Sequence, residues 1–112
     1  MFKQIESFDE LEKILIQFQY TIEDNRKANN SSGWKRFKLN QKNKRFLLYY
    51  DNNIHAYYLG RNCCAAFFPE YTPGEMKNEK WIFLLEENIT ELFIDIESKI
   101  LLCPKTEIAI SL

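Results

Sequence analysis

"KRFLLYYDNNIHAYYLG", residues 44–60, decides what kind of fold this chain can adopt. Strand side chains alternate between the two faces of a sheet, so Phe46, Leu48 and Tyr50 share one face and Leu47 and Tyr49 the other. Both faces are apolar, the pattern of a central strand covered on each side. "IHAYYLG" follows across "DNN", a short polar turn suited to a hairpin, and reads as the next strand.

The neighbouring segments extend the pattern. "WKRFKLN" precedes this pair across "QKNK", and "CCAAFF" (63–68) is a further strand stopped by Pro69. "WIFLL", "ELFIDI" and "KILLC" follow, the last two joined by "ESK", and "TEIAISL" alternates as an edge strand would. Between them, "PEYTPGEMKNEK" (69–80) is non-periodic and reads as a loop.

Upstream, "SFDELEKILIQFQYTI" (7–22) switches to the helical period. Ser7 and Glu10 make an S-x-x-E capping box, and Asp9, Glu10 and Glu12 sit at the positive end of the helix dipole. Phe8, Leu11, Leu15, Phe18 and Ile22 recur at spacings of three and four, with Ile14 widening the stripe, which predicts an amphipathic helix over about 8–23.

One helix followed by a run of strands on short turns defines an α+β fold. The expected architecture is an N-terminal amphipathic helix packed on a mainly antiparallel, curved sheet of about six or seven short strands; a small barrel-like closure of the same strands is the alternative. At 112 residues the chain supports one hydrophobic core, so 1–112 is expected to be a single domain. Nine Phe, six Tyr and two Trp give that core bulk, since each buries on the order of 150–250 Å².

Several function classes find no footing. The glycines, at 33, 60 and 74, cannot spell a phosphate-binding G-x-x-x-x-G-K-[ST] or G-x-G-x-x-G loop. The three cysteines offer neither C-x-x-C nor a four-ligand zinc set, so no metal and no cofactor is expected. The one conceivable catalytic pair is Cys63 or Cys64 with His55, a thiol enzyme in outline; free cysteine more often acts as a small buried hydrophobe. A non-enzyme is the expectation. The start of the chain lacks a basic n-region followed by an apolar run, and no stretch approaches the length of a membrane span, so a cytoplasmic protein with no membrane partner is expected.

Charge is unevenly placed. Residues 1–24 carry six acids and two bases; residues 25–50 carry eight bases and no acid; from Glu70 onward there are nine acids and four bases. Two surfaces of opposite sign can result, or the segments can lie side by side and neutralise each other. The basic stretch 26–45, with Trp34 and Phe37 interleaved, supports an RNA- or DNA-binding accessory role as one reading. Against it stand the slightly acidic total and the opposite strand parity of Trp34 and Phe37.

The acidic surface supports the other reading. Glu70, Tyr71, Glu75, Met76 and Glu79 sit in the 69–80 loop, and Glu86, Glu87 and Glu91 flank "NIT" between two strands. Acids beside an aromatic anchor are what an inhibitor presents to a basic active site. The profile is therefore that of a small binding protein without a small-molecule substrate. It is compatible with a bacterial immunity protein that neutralises a cognate toxin, such as a nuclease, by occluding its active site.

Overall fold

A computed structural model describes residues 1–26, 28, 30–39, 44–61 and 81–112. Cys63, Cys64, the "CCAAFF" segment and the loop carrying Glu70, Tyr71, Glu75, Met76 and Glu79 lie outside the described residues.

The fold is α+β. Among the described residues a helix, α1 (Phe8–Gln17), accompanies nine strands: β1 (Lys3–Gln4), β2 (Thr21–Asp24), β3 (Gly33–Leu39), β4 (Lys44–Asp51), β5 (Ala56–Arg61), β6 (Trp81–Leu85), β7 (Phe93–Asp95), β8 (Ile100–Cys103) and β9 (Ile108–Ser111). A 3-10 segment, Glu86–Glu91, joins β6 to β7. The strands form two antiparallel sheets, one of five in the order β2-β3-β4-β5-β6 and one of four in the order β1-β7-β8-β9.

The capping motif works as its spacing requires at one end. Ser7 has extended backbone and its Oγ accepts the Glu10 N–H at 3.2 Å, satisfying one of the orphan amides of the first turn. The Glu10 carboxylate instead meets Lys3 Nζ at 3.1 Å.

The helix is shorter than its sequence pattern suggests. It stops at Gln17, and residues 21–23, expected as its last turn, belong to β2. Gln19 adopts φ 74°; its N–H donates to the Ile16 carbonyl at 2.9 Å, and the Tyr20 N–H to the Leu15 carbonyl at 3.1 Å. These are the paired bonds of a Schellman motif, with glutamine where glycine is usual. Beyond it, β2 pairs with β3 so that Ile22 faces Phe37, Glu23 faces Arg36 and Asp24 faces Lys35. Ile22 thus fits a helical stripe from Phe18 and equally a strand face, and the cross-strand partners decide the matter.

One apolar cluster lies between helix and sheets. It takes Leu11, Ile14 and Leu15 from α1, Phe46, Leu48 and Leu59 with their neighbours from the larger sheet, and Ile94, Leu101 and Ile110 from the smaller. Those last three are direct cross-strand partners, Ile94 with Leu101 and Leu101 with Ile110. Cys103 is buried in the same cluster.

β4 is central, as its two apolar faces imply. Phe46, Leu48 and Tyr50 enter the main core. Leu47 and Tyr49, on the far face, are only 1% and 3% exposed and pack with Trp34, Tyr58 and Trp81. Trp34, Tyr49, Tyr58 and Phe83 are successive cross-strand partners, making an aromatic row across β3 to β6. The Tyr49–Tyr58 and Tyr58–Phe83 ring centroids are 6.2 and 5.1 Å apart.

The hairpin after β4 turns later than the sequence suggests. Residues 52–55 are all turn, so Ile54 and His55 precede β5 rather than open it, and His55 closes the turn at φ 50°. The loops 96–99 and 104–107 have the same length and end the same way, at Lys99 (φ 56°) and Glu107 (φ 58°). In the first two, the aspartate that ends the preceding strand accepts an amide two residues on, Asp51 from Asn53 and Asp95 from Glu97.

Candidate functional site

Glu86, Glu87 and Glu91, the three expected site residues among those described, occupy the 3-10 segment directly after β6. They are held differently. The Glu86 N–H donates to the His55 carbonyl at 2.8 Å. Its carboxylate accepts the Tyr50 hydroxyl at 3.0 Å, and His55 Nδ1 stands 3.0 Å from that hydroxyl and 3.5 Å from the same carboxylate oxygen. Glu91 pairs with Lys105 at 3.3 Å. Glu87 is exposed.

The fixture behind Glu86 reaches into the core. Tyr50 is a buried residue of β4 whose hydroxyl donates to Glu86 beside the His55 ring. Burial raises its phenol above the ordinary range, and the hydrogen bond to Glu86 adds to this. Its ring lies 4.7 Å from that of Tyr57, which stacks on Phe8 of α1 at 3.7 Å. Tyr57 is pushed up to about 12, by burial first and the Glu86 charge second, while Arg26 opposes both. Arg26 also lies over the Tyr50 ring at 4.5 Å.

Phe8, Asp9 and Tyr57 border two clefts at the head of α1. The first, about 220 Å³, carries Glu12, Arg26 and Lys35 on its rim and reaches Phe37 and Leu48. The second, about 250 Å³, is bordered by Glu6, Ser7, Glu86 and Ile89.

Three bases of the basic segment face carboxylates of neighbouring elements. Lys35 meets Glu12 at 3.0 Å and Asp24 at 3.8 Å. Arg36 and Lys38 share Glu23 at 3.3 and 2.5 Å, and the Lys38 hydrogen bond holds the Glu23 carboxyl below its usual range. Phe37 is 2% exposed in the core, while Trp34 lies on the far face with Arg36 over its ring at 4.8 Å. The two aromatics therefore do not form one stacking platform, and the acidic start of the chain lies beside the basic stretch.

His55 is an exposed turn residue whose ring belongs to the Tyr50–Glu86 group; a place on the strand "IHAYYLG" was expected. Among the described residues no group of three or more His, Cys, Asp or Glu side chains is placed to hold a metal ion. No described helix is long and apolar enough to cross a membrane.

Sequence reasoning reached Glu86 and His55 separately but missed Tyr50 and Tyr57 as their supports. Nothing local in the sequence joins positions 50, 55 and 86; the β4–β5–β6 register does so. No family model, no curated protein and no solved structure matches the chain.

Proposed function

We propose that this chain is a small non-catalytic binding protein of the cytoplasm, an immunity-type inhibitor that occludes the basic active site of a cognate toxin. The observation that carries the reading is the fixed carboxylate of Glu86, held by the Tyr50 hydroxyl at 3.0 Å and by its own N–H on the His55 carbonyl at 2.8 Å. An acid set in place beforehand loses little side-chain freedom when a cationic partner arrives. Glu87 beside it is exposed and adds to the field that steers encounter. The 69–80 loop, with Glu70, Tyr71, Glu75, Met76 and Glu79, belongs to the same proposal on its sequence alone. Nucleic-acid binding has less support, because Lys35, Arg36 and Lys38 each already face a carboxylate.

The test is co-expression with the product of the adjacent reading frame, scored by growth. The chain restores growth if that product is its toxin. Association of the purified pair slows as salt rises, and Glu86→Lys with Glu87→Lys slows it at least tenfold at low salt. Absence of rescue, or an association rate indifferent to both salt and the two reversals, sinks the proposal.

A further inference from the structure

Two apolar patterns break at the same place. Phe8, Leu11 and Leu15 form the stripe that α1 turns to the core, and Glu12 occupies the remaining position of that i, i+3, i+4, i+7 set. Lys35 lies two residues before Phe37, on the core-facing side of β3 and across from Leu48. The fold brings these two charges to 3.0 Å, with side chains 26% and 21% exposed. A half-buried ion pair is a weak source of stability beside apolar residues of similar volume. A departure from pattern without a gain in stability is expected where a protein binds something.

The pair borders the cleft of about 220 Å³ at the head of α1. Leu11, Phe37 and Leu48 give it a buried apolar floor, and the Phe8–Tyr57 stack gives it a wall. Its charges are sorted by element. The acids, Asp9 and Glu12, come from α1, three residues apart and so on one side of the helix. The bases, Arg26 and Lys35, come from the segment after β2 and from β3. Arg26 is fixed there, its Nε donating to the Ser31 carbonyl at 3.0 Å. The volume falls below the roughly 300–1,000 Å³ of sites for drug-sized molecules and suits a smaller ligand.

We infer that this cleft binds a free α-amino acid with an apolar side chain, such as leucine. The ammonium group faces the acids of α1, the carboxylate faces Arg26 and Lys35, and the side chain lies on Leu11, Phe37 and Leu48. The ligand's two charges take the places that Glu12 and Lys35 hold for each other. That exchange costs little, because a partly exposed pair contributes little, and Lys35 keeps Asp24 at 3.8 Å. The site is separate from the toxin contact proposed above: Phe8, Asp9 and Tyr57 border both clefts, whereas Glu86 borders only the second.

A leucine titration of the whole chain, followed by methyl NMR, tests the inference. Saturable shifts of the Leu11 and Leu48 methyls are expected, with Leu101 in the smaller sheet unmoved. The Kd expected for so small a ligand is about 0.1–10 mM. Leucinamide and N-acetyl-leucine each lack one of the two charges, and glycine lacks the side chain; all three bind at least about tenfold more weakly. Glu12→Met with Lys35→Met keeps the circular dichroism and Tm of the parent and loses the leucine shifts. Absence of saturation overturns the inference, as do blocked compounds that bind as tightly as leucine, shifts confined to other methyls, or a folded double variant that binds leucine as the parent does.

Discussion

Replacing Gln19 with glycine tests where α1 ends, because two accounts of residues 8–23 give opposite signs. Gln19 is exposed and holds φ 74° in the turn that closes the helix. A side chain in the left-handed region costs roughly 1–2 kcal/mol. Glycine removes that cost and returns roughly 0.5–1 kcal/mol through its freer unfolded chain. The net gain is about 0.5–1 kcal/mol, which raises Tm by roughly 2–6 °C for a domain of this size. The Ile16 and Leu15 carbonyls keep their donors, since both bonds come from backbone amides. In one continuous helix over 8–23, glycine at 19 would instead cost about 1 kcal/mol relative to alanine. Urea unfolding followed by tryptophan fluorescence measures the difference, with Gln19→Ala as the comparison. A glycine variant less stable than the parent beside an alanine variant more stable would refute the Schellman ending and with it the start of β2.

Two further substitutions probe the packing. Leu47→Ala removes a side chain 1% exposed beneath Trp34, Tyr58 and Trp81 and is expected to cost about 2–5 kcal/mol in urea unfolding; a loss under about 1 kcal/mol would mean that this face is loosely covered. Tyr57 binds its proton more tightly in the folded chain, up to about 12, so the stability it contributes is complete below the ordinary tyrosine pKa near ~10 and declines as pH rises from there toward about 12. Tyr57→Phe flattens that alkaline decline in Tm and removes one late-ionising phenol from the ultraviolet titration; an unchanged titration curve contradicts the burial assigned to it.

The strands could be seen in the sequence wherever alternation is strong. The double-faced pattern at 44–51 announces β4 as central, and "WIFLL", "ELFIDI", "KILLC" and "TEIAISL" each contain a strand. The start of α1 was equally plain, because Ser7 and Glu10 act over a single turn. Its end was not. No glycine or proline marks Gln19, and Phe18 to Ile22 keeps helical spacing while β2 gains its partners from β3, well downstream. Division into two sheets was hidden for a similar reason: β1 is two residues long and exists only because β7 accepts it. At the candidate site the acids of the 3-10 segment could be picked out as a group. Their differing attachments, to Tyr50 for Glu86 and to Lys105 for Glu91, depend on tertiary distance.

The pairing of β1 with β7 has a kinetic consequence. Lys3 lies opposite Ile94, and Gln4 opposite Phe93, so this ladder closes a loop of nearly the whole chain and bears a large closure entropy. The β3–β4–β5 meander joins neighbours in sequence and can form early. During synthesis β1 emerges long before β7 and must wait for it, while α1 beside it already has Phe37 and Leu48 to pack against. Refolding should therefore show β1 amides protected last, and a strand formed so late contributes chiefly to the unfolding rate.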